Sequence, residues 1–141
     1  VNDFMVMQNE AYLKYTSKIL ETFLYVKGYT KLKMNSLKIG LQNRNSKLKQ
    51  FDNLFFTQNF TIVLEFRKID TILQKMEIVL NFYNKENSLI TTIERDFFWF
   101  DYNILEVIAP PKVISKHFLM ENEFRNVGWF LGGFANVFVY G

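Results

Sequence analysis

Glu94 and Asp96 stand two residues apart in the alternating stretch Leu89 to Phe97, which puts both carboxylates on one face of a strand, about 7 Å apart. Two acids held at roughly 5 to 9.5 Å can share the work of acid and base, or acid and nucleophile, in glycosidic hydrolysis. The same alternation is the ordinary pattern of a solvent-facing strand, and Arg95 between them points the other way. His117, flanked by Lys116 and Phe118, is the one histidine. Any imidazole base or Ser-His-Asp relay must run through it and needs a partner acid from elsewhere. A small hydrolase using Glu94 or Asp96 with His117 is therefore the least favoured of three readings. Glu121 and Glu123 read as loop or cap residues.

Other chemistry is excluded by count. There is no cysteine, so disulfides, thiolate zinc sites, iron–sulfur clusters and cysteine nucleophiles are absent. One histidine cannot build a multi-histidine metal centre. The chain contains no phosphate loop, no G-x-G-x-x-G fingerprint and no G-x-S-x-G elbow. The expectation is a chain without catalytic residues, metal or cofactor.

Two patterns remain as candidates for contact with other molecules. Between Lys27 and Lys49 the residues Lys27, Lys31, Lys33, Lys38, Arg44, Lys47 and Lys49 meet no acid. Basic side chains on a polar segment can touch phosphates without reading bases, so Lys31, Lys33, Lys38, Arg44, Lys47 and Lys49 are the expected contacts to RNA or an anionic surface. The second is Phe97-Phe98-Trp99-Phe100, followed by Tyr102. On a strand these rings project to both faces, and both must be covered. Phe98, Trp99, Phe100 and Tyr102, with Trp129 and Phe130, are the expected protein interface.

The elements that would position these residues follow from periodicity. Apolar residues at Tyr12, Tyr15, Ile19, Phe23 and Val26 mark an amphipathic helix over Asp3 to Val26, with Gly28 as its stop. From Leu32 the period changes toward two, so that Leu37, Ile39 and Leu41 suggest a strand. Gln42 to Gln50, polar and basic, reads as an exposed loop. Phe60 to Arg67, Met76 to Tyr83 and Leu89 to Phe97 alternate clearly, with Asn84-Lys85-Glu86-Asn87 as a turn. Ile104 to Ile108 is a short strand closed by Pro110-Pro111. Val113 to Met120 fits strand or helix, and Phe134 to Tyr140 alternates again. The fold class is α+β: an N-terminal amphipathic helix packed on a curved, mostly antiparallel sheet of six to seven strands. Residues 1–141 read as one domain, with helix over 1–28, a strand plus basic loop over 29–59 and antiparallel sheet over 60–141.

Composition sets the weight of all this. Phe, Tyr, Met, Ile, Asn and Lys make up 66 of 141 residues, whereas Gly, Ala, Arg and Pro make up 15. That imbalance follows A/T-rich against G/C-rich codons, so richness in Lys or Phe carries less meaning than placement. The net charge is +3. The first ten residues hold Asp3 and Glu10 and no basic run, unlike a secretory leader. No stretch is long and apolar enough for a membrane-spanning helix. The expected function is a non-catalytic structural or assembly subunit of a larger complex, such as a mitochondrial ribosome or respiratory assembly. Its expected partners are other protein subunits, with RNA along residues 27–49. An organellar matrix is favoured over the cytoplasm. The alternative of another class is a β-rich module that binds an apolar ligand among Phe and Tyr side chains.

Overall fold

The computed structural model describes residues 6–55, 59–70, 72–119, 124–130 and 135–140, with side chains as far as residue 116. Helix α1 (Asn9–Val26) buries Tyr12, Thr16, Ile19, Leu20, Phe23 and Leu24, the three-and-four spacing of a one-sided apolar stripe. Thr16 is tolerated there because its hydroxyl donates to the Tyr12 carbonyl at 3.0 Å. The helix ends where Gly28 predicts. The Gly28 N–H donates to the Tyr25 carbonyl at 3.0 Å and the Tyr29 N–H to the Leu24 carbonyl at 2.7 Å. This paired closure needs a left-handed residue, and Gly28 has φ +92°.

The next segment departs from the sequence expectation. Lys31–Leu37 forms a short helix, α2, in place of the lead into a strand. Thr30 caps it, its hydroxyl accepting the Lys33 N–H at 3.1 Å. Lys38, at φ 54°, ends it in the left-handed region. Capping and helix propensity thus outweigh a short, poorly alternating apolar pattern.

Strand β1 (Ile39–Gln50) includes the expected loop. Gln42 to Gln50 pair along β4 (Leu89–Asp101), from Gln42 opposite Phe98 to Gln50 opposite Thr91, with an irregularity between Asn43 and Asn45. Backbone pairing to a long neighbour, which a side-chain pattern does not report, makes this polar stretch a strand. Polar and basic side chains suit it because β1 lies at an edge of the sheet.

Strands β2 (Phe60–Asp70) and β3 (Lys75–Asn84) complete the meander with β4. Their sheet order is β1-β4-β3-β2, all antiparallel, and β5 (Glu106–Ile108) pairs with β4 from Trp99 to Asp101. Helix α3 (Lys112–Leu119) follows Pro110-Pro111, which resolves the ambiguous segment as helix. Beyond it lie β6 (Phe124–Phe130) and β7 (Ala135–Tyr140). Strand β7 joins β2 in parallel, with Phe60 opposite Ala135, and β6 pairs antiparallel to β7. The molecule is therefore α+β, with the N-terminal helix packed on an antiparallel sheet.

One sheet face meets α1. Phe60, Ile62, Leu64 and Phe66 of β2, Met76, Ile78, Leu80 and Phe82 of β3, and Ile93, Phe97 and Trp99 of β4 are all buried. Burying side chains of this size contributes about 1.5 to 3 kcal/mol each. Tyr12 meets Phe82 edge-on at 5.0 Å, Tyr15 meets Phe60 at 5.2 Å, and Phe23 lies on Phe66 at 4.7 Å. The opposite face carries ion pairs. Arg67 reaches Glu77 at 3.8 Å and Glu94 at 3.6 Å, Lys68 reaches Glu77 at 3.5 Å, and Lys75 reaches Asp96 at 4.0 Å.

Candidate functional site

A cleft of about 610 Å³ opens between the C-terminal half of α1, helix α2 and the inner face of β1 and β4. Its walls are largely apolar, with Leu20 and Leu24 from α1, Tyr29, Met34 from α2, and Leu41 from β1. Into this lining the alternation of β4 delivers one charged group, Arg95. It stands between Ile93 and Phe97 on the inner face and is 8% exposed. Its Nε is enclosed without a hydrogen-bond partner, and among the described residues no acid pairs with it. Burial pushes its guanidinium pKa down, as expected when a cation is withdrawn from water without compensation. The other charges on the cleft wall, Lys31 and Glu21, neutralise each other at 3.4 Å. A size in the range of about 300 to 1,000 Å³, apolar walls and few convergent polar groups are the properties of a small-molecule site.

The other end of α1 is also polar. Gln8 occupies the N-cap without a side-chain cap among the described residues, at the positive end of the helix dipole, and the Ala11 N–H donates to the Gln8 carbonyl at 2.9 Å. Glu10 lies in that first turn. One turn further on, the Tyr12 hydroxyl is enclosed, as is that of Thr91, and neither meets a hydrogen-bond partner. Burial pushes the Tyr12 pKa up, while the nearby Thr91 side chain and Leu54 backbone act in the opposite direction.

The expected site residues are scattered by this arrangement. Lys31 and Lys33 ride on α2, the first paired with Glu21 and the second over the Tyr29 ring at 4.6 Å. Lys38 forms the α2 C-cap. Arg44 lies over Phe98 at 5.2 Å, and Lys47 and Lys49 stand opposite Glu94 and Thr92 on the edge strand. Of the acid-free run, Lys31 thus meets an acid in an ion pair and Lys47 stands in register with one. Among the aromatics, Trp99 is fully buried with its ring 5.4 Å from Tyr29, so the chain itself covers that face. Phe98 and Phe100 face the other side, half-buried, with Tyr102 against Phe100 at 5.0 Å. Trp129 and Phe130 pair through their backbones with Val137 and Asn136; their side chains, like that of His117, lie outside the described residues.

Glu94 and Asp96 do share a strand face, but it is the ion-paired outer one, turned away from the cleft. The sequence notes Arg95 only as pointing elsewhere. A lone basic residue at an inward position of an otherwise apolar alternation is the signal that could have found it.

No protein-family model matches the chain, and no curated protein matches it. Solved structures do. One is a hypothetical protein from Staphylococcus aureus in complex with CoA, with TM-score 0.72 and 17% identity over 83% of this chain and 73% of that one. A gentisyl-coenzyme A thioesterase aligns with TM-score 0.68 and 15% identity over 84% of this chain and 90% of that one. A 1,4-dihydroxy-2-naphthoyl-CoA thioesterase from Synechocystis aligns with TM-score 0.66 and 10% identity over 86% of this chain and 88% of that one. At this identity the likeness is one of fold. It overturns the expectation of a non-catalytic subunit in a mitochondrial ribosome or respiratory assembly, and with it the ribonucleoprotein setting. Among the proteins that share the fold, three are named as CoA thioesterases. Of the aromatics read as a contact surface, Trp99 lies in the core, whereas Phe98 and Phe100 are half-buried on the outer face.

Proposed function

We propose that this chain is a hydrolase of acyl thioesters on the hotdog fold, acting on CoA-linked substrates. The carrying observation is the recurrence of CoA thioesterases among solved structures that align with more than four-fifths of this chain. The reading treats residues 1–141 as one domain whose sheet of six to seven strands curls around α1.

Thioester hydrolysis needs donors aimed at the oxygen that gains charge as water adds to the carbonyl, and a carboxylate to take a proton from that water. The uncapped start of α1 supports the first requirement. The N–H groups of its first turn and its dipole favour an oxyanion. Acids neighbouring that helix start in the chain support the second: Glu10 in the first turn, and Asp3, which precedes the described residues. Attack by water and departure of the CoA thiolate then yield a free carboxylic acid and CoA thiol.

The test is release of thiol from a panel of aromatic and straight-chain acyl-CoA esters, followed with a thiol reagent. The chain has no cysteine, so the protein gives no background. Turnover is expected, and Glu10→Gln or Asp3→Asn should lower kcat by about 100-fold or more, the scale of a lost general base. No turnover across the panel, or full activity in both variants, would overturn the proposal.

A further inference from the structure

We infer that the cleft between α1, α2 and β1/β4 is a binding site for a free, largely apolar monocarboxylate whose head group is held by Arg95. The first support is the unsatisfied cation. A buried charge without a partner opposes folding unless something pairs with it. Arg95 has its Nε enclosed and unpaired and lies at 8% exposure in the lining of an open cavity. A guanidinium presents two parallel N–H donors that match the two oxygens of a carboxylate.

Charge counting selects the head group. The cleft lining carries Arg95, Lys31 and Glu21, and the last two form their own pair at 3.4 Å. One positive charge is left over. A carboxylate cancels it, whereas a dianionic phosphate monoester would bury a second charge without a partner. The body of the ligand is selected by the walls, since Leu20, Leu24, Met34 and Leu41 offer contact and no hydrogen bonds. Ser17, Thr22, Thr30 and Asn43 are neutral polar groups of the lining that could tune the fit.

This site lies toward the opposite end of α1 from the N–H groups assigned to thioester chemistry, and it does not rest on that assignment. It is read by binding without turnover. The experiment is calorimetric titration of the purified full chain with decanoate, decanol and decyl phosphate. Decanoate is expected to bind at least tenfold more tightly than decanol, the difference being the charge-assisted pair. Arg95→Met should abolish that preference while retaining weak binding of both. Leu24→Trp, which fills the cleft and leaves Arg95 in place, should weaken decanoate and decanol alike. Circular dichroism on each variant establishes that it is folded.

Equal binding of decanoate and decanol by the wild-type chain would overturn the inference. So would a decanoate preference that survives Arg95→Met, or decyl phosphate binding more tightly than decanoate. A chain that prefers decanoate but hydrolyses no thioester defeats the proposed activity alone, and a chain that hydrolyses thioesters without the preference defeats the carboxylate site alone.

Discussion

Arg95 and Glu94 are neighbours in β4 and belong to opposite environments. Glu94 is half exposed and sits 3.6 Å from Arg67 on the ion-paired face, while Arg95 is buried against the cleft and no acid among the described residues pairs with it. A strand's two-residue period separates them, so one charge is compensated by the sheet's own surface and the other is not compensated by any described residue. The balance of effects at Arg95 therefore differs from that at any other cation on the described sheet.

Removing that charge should not harm folding. Arg95→Met keeps the length of the aliphatic stem and removes a desolvated cation, whose withdrawal from water opposes folding. The variant is expected to melt at or above the wild-type temperature without ligand, where each kcal/mol corresponds to about 3 °C in a domain of this size. Arg95→Glu, which reverses the buried charge, should melt well below it. A thermal melt by circular dichroism checks both, and a large loss in Arg95→Met would mean the guanidinium holds the fold together.

Alkaline pH should weaken the fold through Tyr12 and Tyr15. Burial pushes both phenol pKa values up. The folded state therefore keeps these protons where the unfolded chain has released them. Stability is full below the unfolded value, about 10, and is lost as pH rises from there toward the folded values. Chemical denaturation between about pH 8 and 11 should show this decline, and Tyr12→Phe should flatten it. Because the Tyr12 hydroxyl is enclosed without a well-formed hydrogen bond among the described residues, that variant should cost less than about 1 kcal/mol at neutral pH. Tyr12→Ala empties a core position and should cost about 3 to 5 kcal/mol.

What the sequence discloses follows the strength of local patterning. The α1 stripe from Tyr12 to Leu24, the Gly28 stop and the alternations in β2, β3 and β4 are legible because burial on one face writes them directly into residue order. The turn at Asn84 is legible for a local reason too, since its side chain accepts the N–H groups of Glu86 and Ser88 at 3.0 Å each. The strand character of Gln42 to Gln50 is not, because it depends on pairing to a neighbour some fifty residues away. Nor is the parallel partnership of β2 with β7. The cleft is hidden for the same reason: Leu24, Met34, Leu41 and Arg95 come together only once the helices have folded onto the sheet.

Lys38 offers a test of backbone strain separate from charge. It takes φ 54° at the end of α2, a region that costs an ordinary L-residue about 1 kcal/mol and glycine nothing. Lys38→Gly should therefore raise stability by roughly 0.5 to 1 kcal/mol despite the added freedom of the unfolded chain. Lys38→Val, branched at Cβ, should lower it. Urea denaturation at neutral pH separates the two directions.

Asp70 controls the turn between β2 and β3. Its Oδ1 accepts the N–H groups of Ile72 and Leu73, each at 3.0 Å, and the hydrogen bond from Leu73 is the main cause of its lowered pKa. The unfolded chain binds this proton more readily, so the stabilisation is present above the ordinary carboxylate value of about 3.9 and is lost as pH falls through the folded value. Asp70→Ala should lower the melting temperature at neutral pH and show a shallower acid decline than the wild type. Equal acid limbs in the two proteins would remove Asp70 from the account of acid sensitivity.

The outer face supplies the control for chemistry. Glu94 and Asp96 have the spacing of a two-carboxylate hydrolytic site, yet Arg67 and Lys75 pair with them at 3.6 and 4.0 Å. Neither acid lines the apolar cleft that could hold an acyl group. Glu94→Gln and Asp96→Asn should each leave thioester turnover within about twofold of wild type. Because exposed pairs contribute about 0 to 1 kcal/mol, each should also leave stability within that range. A loss of turnover of about 100-fold in either variant would move the hydrolytic centre from the start of α1 to the outer face of the sheet, where the spacing of the two carboxylates in sequence first suggested it.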